Sequence, residues 1–187
     1  MAKRTYKTTL GAIPKIVDNF KPKTSNQNIF YNIIGEEDTQ LVLCHGIAGT
    51  GKTYVSIYKA LQDVLRRGTP YNKLIIINPT VDVGNEDKLG FLPGELSSKI
   101  QQYNESTFTI LDKIIGKDKA TKMMSDGKLE IGVLNFLRGV NLENCYVILD
   151  EAQNVSPMQI KTLMTRISSN CKMIIQGDMS QCDKFKA

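Results

Sequence analysis

Gly46-Ile47-Ala48-Gly49-Thr50-Gly51-Lys52-Thr53 is a complete G-x-x-x-x-G-K-[ST] octet, and it constrains this chain more than any other stretch. Such a loop works only between a buried strand and a helix that opens on its last residues. The flanks read that way: Leu41, Val42, Leu43 and Cys44 form an apolar strand-like run, and Tyr54 to Arg67 carries helical periodicity. Glycines let backbone N–H groups turn inward, so Gly46, Ala48, Gly49, Thr50 and Gly51 are the candidates for cradling phosphate oxygens. A helix beginning at Lys52 adds its positive dipole end. Lys52 is expected to reach the β- and γ-phosphates, and the Thr53 hydroxyl to sit on Mg²⁺. The reading these residues support is nucleotide binding.

A second half of the chemistry lies about a hundred residues on. Tyr146-Val147-Ile148-Leu149 is a hydrophobic strand ending in Asp150 and Glu151. Asp150 is placed to hold Mg²⁺, directly or through water, and Glu151 to deprotonate a water attacking the γ-phosphorus. Ser156-Pro157-Met158-Gln159 then starts a helix by rule, with Ser as cap, Pro first and Gln closing a capping box. Ile160, Leu163, Met164 and Ile167 are its expected apolar face, with Arg166 off that stripe. Lys172 to Ile175 reads as the fifth strand and ends in Gln176-Gly177-Asp178-Met179-Ser180-Gln181, where Gln181 is a candidate to contact the γ-phosphate or the lytic water.

Between these halves the pattern alternates strand and helix. Lys73 to Ile77 reads as a second strand breaking at Asn78-Pro79-Thr80, and Leu129 to Val133 as a third, followed by the turn Phe136-Leu137-Arg138-Gly139. A long helix is expected over 95–115 and a shorter one over 117–124. Residues 84–94 form a Gly- and charge-rich loop in which Phe91 and Leu92 either tuck into the core or contact a subunit or base. Upstream, Ser25 is a plausible cap for a helix over 26–34, with Ile29, Phe30, Ile33 and Ile34 on one face. Gln27 near its start is either a solvent-facing amide or a reader of the adenine edge.

With 187 residues and 41% apolar composition, one core and one domain are expected. The net charge of +5 sits entirely in residues 1–24, where six basic residues face Asp18 alone. This basic N-terminal arm, ahead of a domain over 25–187, suits either nucleic-acid contact or a solvated tail. Cys44, Cys145, Cys171 and Cys182 lie far apart and read as reduced thiols; His45, the single histidine, marks the end of a strand. No stretch approaches the ~18 apolar residues of a membrane span, and a cytoplasmic protein without membrane association is expected.

Taken in order, Gly-Ile-Ala-Gly-Thr-Gly-Lys-Thr, Gly90-Phe91-Leu92-Pro93-Gly94, Phe-Leu-Arg-Gly, Ile-Leu-Asp-Glu-Ala-Gln and Gly-Asp-x-x-Gln resemble the PhoH family of phosphate-starvation-inducible ATPases, from about Thr24 to Gln181. Two of these motifs are also similar to the first RecA-like domain of superfamily 1 helicases. The resemblance implies ATP binding and hydrolysis and a three-layer α/β fold of the P-loop NTPase type. Its RecA-like, mostly parallel sheet would be flanked by helices, with the fifth strand inserted between the phosphate-loop and Asp150 strands. It further implies an adenine-reading glutamine, matched by Gln27, and ring-like, hexameric assembly, with RNA as the usual polymer. The family pattern continues with further strand and helix beyond Ala187, the last residue here, and no nuclease-type domain of the kind some relatives carry is expected.

Superfamily 1 helicases set ATP between two RecA-like domains, the second of which supplies transition-state arginines. This chain has one, and such an arginine is worth ~10³ to 10⁵ in rate. A homo-oligomer with ATP at subunit interfaces is therefore expected, with Arg138 or Arg166 as the finger supplied in trans. Two functions follow: an ATP-driven motor on single-stranded nucleic acid, RNA favoured, or an ATP-dependent binding switch that unwinds nothing.

Overall fold

A computed structural model describes residues 15–79, 104–132, 142–168 and 170–182. In chain order these give α1 (Ser25–Gly35), β1 (Leu41–His45), α2 (Lys52–Val64), β2 (Lys73–Ile77), α3 (Glu105–Ile115), α4 (Lys117–Ser125), β3 (Leu129–Gly132), β4 (Cys145–Leu149), α5 (Pro157–Met164) and β5 (Lys172–Gly177). Short 3₁₀ turns follow β4 at Ala152–Asn154 and β5 at Met179–Gln181.

The strands form one parallel sheet in the order β1-β5-β4-β2-β3. β5 thus lies between the phosphate-loop strand and the Asp150 strand, as the family resemblance implies. Parallel strands covered on both faces read as unbroken apolar runs, which is why Leu74 to Ile77 and Cys145 to Leu149 are buried throughout. Period-two alternation sorts them. Leu74, Ile76, Tyr146, Ile148 and Ile174 face a core completed by α1, α2, α3 and α4. Ile75, Ile77, Val147, Leu149, Met173 and Ile175 face a second core under α5. The result is a three-layer α/β sandwich.

Most helix signals hold, with local corrections. The capping box of α5 is formed: the Ser156 hydroxyl accepts from Gln159 N at 3.3 Å, and Gln159 Oε1 accepts from Ser156 N at 3.0 Å. On that helix Leu163 is buried, but Met164, expected on the apolar face, is exposed. α1 is capped by Thr24 and not by Ser25; the Thr24 hydroxyl accepts from Gln27 N at 3.2 Å, so the helix starts one residue early. Its buried face centres on Ile34, with Phe30 and Tyr31 partly covered, and Ile29 points to solvent. α2 ends at Val64, earlier than the expected Arg67. The 95–103 part of the expected long helix, the 84–94 loop, Val133 and the 136–139 turn lie outside the described residues.

Part of the basic arm is laid on the domain. Val17 N donates to Ile114 O at 2.9 Å, Tyr54 donates to the Asp18 carboxylate, and Phe20 packs on the Tyr54 and Tyr58 rings at 5.2 Å. At the amino ends of the strands, buried Lys172 donates to Ile34 O at 2.8 Å and to Glu36 O, closing the C-terminus of α1. Beside it the Tyr146 hydroxyl donates to Asp63 Oδ2 at 2.6 Å. Cys145 and Cys171 stand side by side on β4 and at the start of β5 as free thiols, 3.4 Å apart. Among the described residues no helix is long and apolar enough to cross a membrane.

Candidate functional site

The carboxyl ends of β1, β4 and β5 open on one crevice, and the loop between β1 and α2 arches over it. Gly49 (φ 77°) and Gly51 (φ 86°) take left-handed backbone, which L side chains rarely adopt. Thr50 Oγ1 donates to Ile47 O at 2.8 Å and tightens the arch. No side chain caps the first turn of α2, so its leading N–H groups stay available to an anion. Lys52 curls over the arch, donating to Gly46 O at 2.6 Å and Ile47 O at 3.0 Å. These are the residue types and backbone angles that a polyphosphate cradle requires.

Thr53 and Asp150, 97 residues apart in the chain, meet directly: Thr53 Oγ1 donates to Asp150 Oδ2 at 2.7 Å. Asp150 is buried, and its other oxygen accepts from Glu151 N at 3.0 Å and Gln176 Nε2 at 2.9 Å. A carboxylate offers about four acceptor sites, so one remains for a cation or its water. Among the described residues no three Asp, Glu, His or Cys side chains converge, so a metal here would need the nucleotide's oxygens as well. Mg²⁺ fits this donor set of a hydroxyl and a carboxylate, next to the orphaned, buried Gln176 Oε1.

Glu151 has left-handed backbone (φ 47°), which turns its exposed side chain out of the strand line. Its carboxylate accepts from Gln153 Nε2 at 2.6 Å, and Gln153 Oε1 accepts from Asp178 N at 3.1 Å. Asp178 Oδ2 in turn accepts from Ala48 N at 2.9 Å, so a chain of contacts runs from Glu151 back to the phosphate loop. The Ser180 hydroxyl and N–H, together with Ala48 N–H and Lys52, hold the Asp178 carboxyl below the usual carboxylate range. A Cβ at Gly177 would meet Gln153 Oε1 at 2.5 Å and Ala152 N at 3.2 Å, so any larger residue there would push the Gln153 amide off Asp178 N.

The remaining candidates are placed as follows. Gln27 reaches the loop: its Nε2 donates to Thr50 O at 2.9 Å and its Oε1 accepts from Lys23 N at 2.8 Å. Both ends of the amide are thus engaged by protein, and adenine would have to displace them. The Ala48 N–H is committed to Asp178. Gln181 is exposed on the turn after β5. Arg166 lies with Leu142, whose N donates to Arg166 O at 3.1 Å, at the amino edge of the sheet and away from this crevice. Arg138 lies outside the described residues.

Three residues in the crevice had no assigned role in the sequence: Gln153, Gln176 and Asp178. The available signal was a glutamine inside a strand buried on both faces, where an aliphatic side chain is expected.

Parallel order with a central late strand, a phosphate loop after β1 and an acid pair after β4 together define a RecA-like P-loop domain. Solved structures share that fold: the large terminase of a thermophilic bacteriophage (TM-score 0.51, 12% identity, 84% of this chain and 39% of that one) and the Pyrococcus furiosus Hef helicase domain (TM-score 0.50, 14% identity, 86% and 33%). In sequence, the model of the PhoH-like protein family matches residues 19–187. The chain is 40% identical over 165 residues to a PhoH-like protein of Bacillus subtilis, covering 88% of this chain and 50% of the relative. It is 35% identical over 149 residues to Protein PhoH of Escherichia coli, covering 79% and 41%. The chain belongs to the PhoH-like family, and it spans about half the length of the curated relatives it matches.

Proposed function

We propose that this domain binds ATP with Mg²⁺ in the crevice and hydrolyses it. The observation that carries the proposal is the 2.7 Å contact between Thr53 Oγ1 and Asp150 Oδ2, which joins the phosphate loop to the acid strand. Lys52 would leave the loop carbonyls for the β- and γ-phosphates, while N–H groups of the loop and of the first turn of α2 bind the remaining oxygens. Thr53 and Asp150 would hold the metal, which supplies charge neutralisation across the phosphate oxygens. Glu151 is the proposed base, kept in place by Gln153, with Gln181 near the γ-phosphate and Gln27 at the adenine.

The proposed polymer is single-stranded nucleic acid, with RNA favoured. In support of nucleic acid as the polymer, P-loop domains of this fold include a helicase domain and the Sulfolobus solfataricus SWI2/SNF2 ATPase core in complex with dsDNA, and the N-terminal arm is basic; the preference for single-stranded RNA follows the family resemblance. The working form we propose is a cytoplasmic homo-oligomer, hexameric by preference, with ATP at subunit interfaces and Arg138 or Arg166 supplied in trans.

Hydrolysis of ATP, measured with and without single-stranded RNA over a salt series, tests the proposal. Turnover is expected to rise with RNA, less so at high salt. Glu151→Gln is expected to keep nucleotide affinity within about twofold and to lose at least about 100-fold in turnover. Undiminished turnover in that variant removes Glu151 as the base. ATP-dependent assembly with no response to any single strand would favour the binding switch over the motor.

A further inference from the structure

Gln176 is the one wholly inaccessible polar side chain on the crevice wall that is left half satisfied among the described residues. It occupies the penultimate position of β5, opposite Cys44 of β1 and one residue beyond the Ile175–Leu149 pair with β4. That register sets it between the two strand ends that carry the loop and the acid. Its Nε2 donates to Asp150 Oδ1 at 2.9 Å and to Thr53 Oγ1 at 3.2 Å. Its Oε1 is buried with no partner.

An apolar side chain of similar volume would fill this position without an unpaired carbonyl. The amide therefore calls for a donor that arrives with a ligand. Counting acceptor sites narrows what that donor is. The Thr53 proton goes to Asp150, one Thr53 lone pair takes the Gln176 N–H, and Asp150 Oδ1 takes two N–H groups. One acceptor position remains on Thr53 Oγ1 and one on Asp150 Oδ2, and the carbonyl of the amide that bridges them is unpaired. Spare capacity on a hydroxyl and a carboxylate bridged by one amide, whose own carbonyl is unpaired, suits a hydrated divalent cation better than an anion or a lone water.

We propose that Gln176 is a positioning residue for the divalent ion: its N–H groups lock Thr53 and Asp150 together, and its carbonyl accepts a hydrogen from the ion's hydration shell. This rests on the reading of Thr53 and Asp150 as the metal clamp given above. Groups that orient metal ligands from behind commonly control 10- to 100-fold in metal affinity.

The test compares wild type, Gln176→Met and Gln176→Thr for binding of a fluorescent ADP analogue, first in EDTA and then over a Mg²⁺ titration. Mn²⁺ binding to the protein–ADP complex is followed by electron paramagnetic resonance. The expected result is unchanged affinity in EDTA, within about twofold, with Mn²⁺ affinity weakened roughly 10-fold or more in both variants. A merely structural amide would lower thermal stability and leave the Mn²⁺ constant alone; that result overturns the inference. If Gln176→Met does not fold, Gln176→Thr carries the comparison. Wild-type nucleotide binding that is indifferent to Mg²⁺ overturns the metal clamp itself, whereas a Mg²⁺ response kept in full by the folded variants overturns only the role of Gln176.

Discussion

Asp178 shows how much a single carboxylate holds at this site. It ties the turn after β5 to Ala48 of the phosphate loop, and its donors hold its carboxyl below the ordinary range near 3.9. The sign of the linkage follows: a depressed carboxyl contributes stability that is full above the unfolded value and is lost as pH falls through the folded value. Urea midpoints of Asp178→Asn should therefore be lower than wild type at neutral pH, with the gap closing below about pH 4. A constant gap across pH would show that the ionised form is not what matters. The phosphate loop, Asp150 and Glu151 were legible from the sequence because each is fixed by neighbours a few positions away. Gln153, Gln176 and Asp178 were not, since each has a partner 25, 26 or 130 residues distant that only the strand register brings close.

Elements were legible in proportion to how many local signals agreed. α5 carries cap, Pro and Gln in sequence, and each takes its expected place. Removing one of them tests how much the helix leans on it: Ser156→Ala should cost about 1 kcal/mol of unfolding free energy, with an unchanged denaturant slope. A change below about 0.3 kcal/mol would mean that the packing of Leu163 and Ile160 holds the helix without the cap. At α1 two adjacent hydroxyl residues compete, and Thr24 wins because its extended backbone presents Oγ1 to Gln27 N. The exposure of Ile29 and Met164 has a different origin. Periodicity gives the angle of a face but not which part of it the neighbouring layer covers.

At the scale of the whole molecule, the proposed ring makes a claim that no single domain can satisfy. Arg166 sits at the amino edge of the sheet, remote from its own crevice, so any service it gives is to another copy. Mixing Arg166→Ala with Lys52→Ala subunits should restore part of the hydrolysis that each lacks alone, up to the statistical share of mixed interfaces. The same mixture made with Arg138→Ala separates the two candidates, and no recovery with either would rule out catalysis across interfaces. The strand order has a consequence for how the molecule comes into being. Among the described strands β1 is hydrogen-bonded to β5 alone, pairing Leu41 with Met173, and β5 is the last of them to be made. On the ribosome the first-made cradle waits as an unpaired edge while β2, β3 and β4 emerge. Backbone pairing of β1 is then gained in one late step, when β5 slides in as a wedge between β1 and β4 and brings Gln176 to the wall of the crevice.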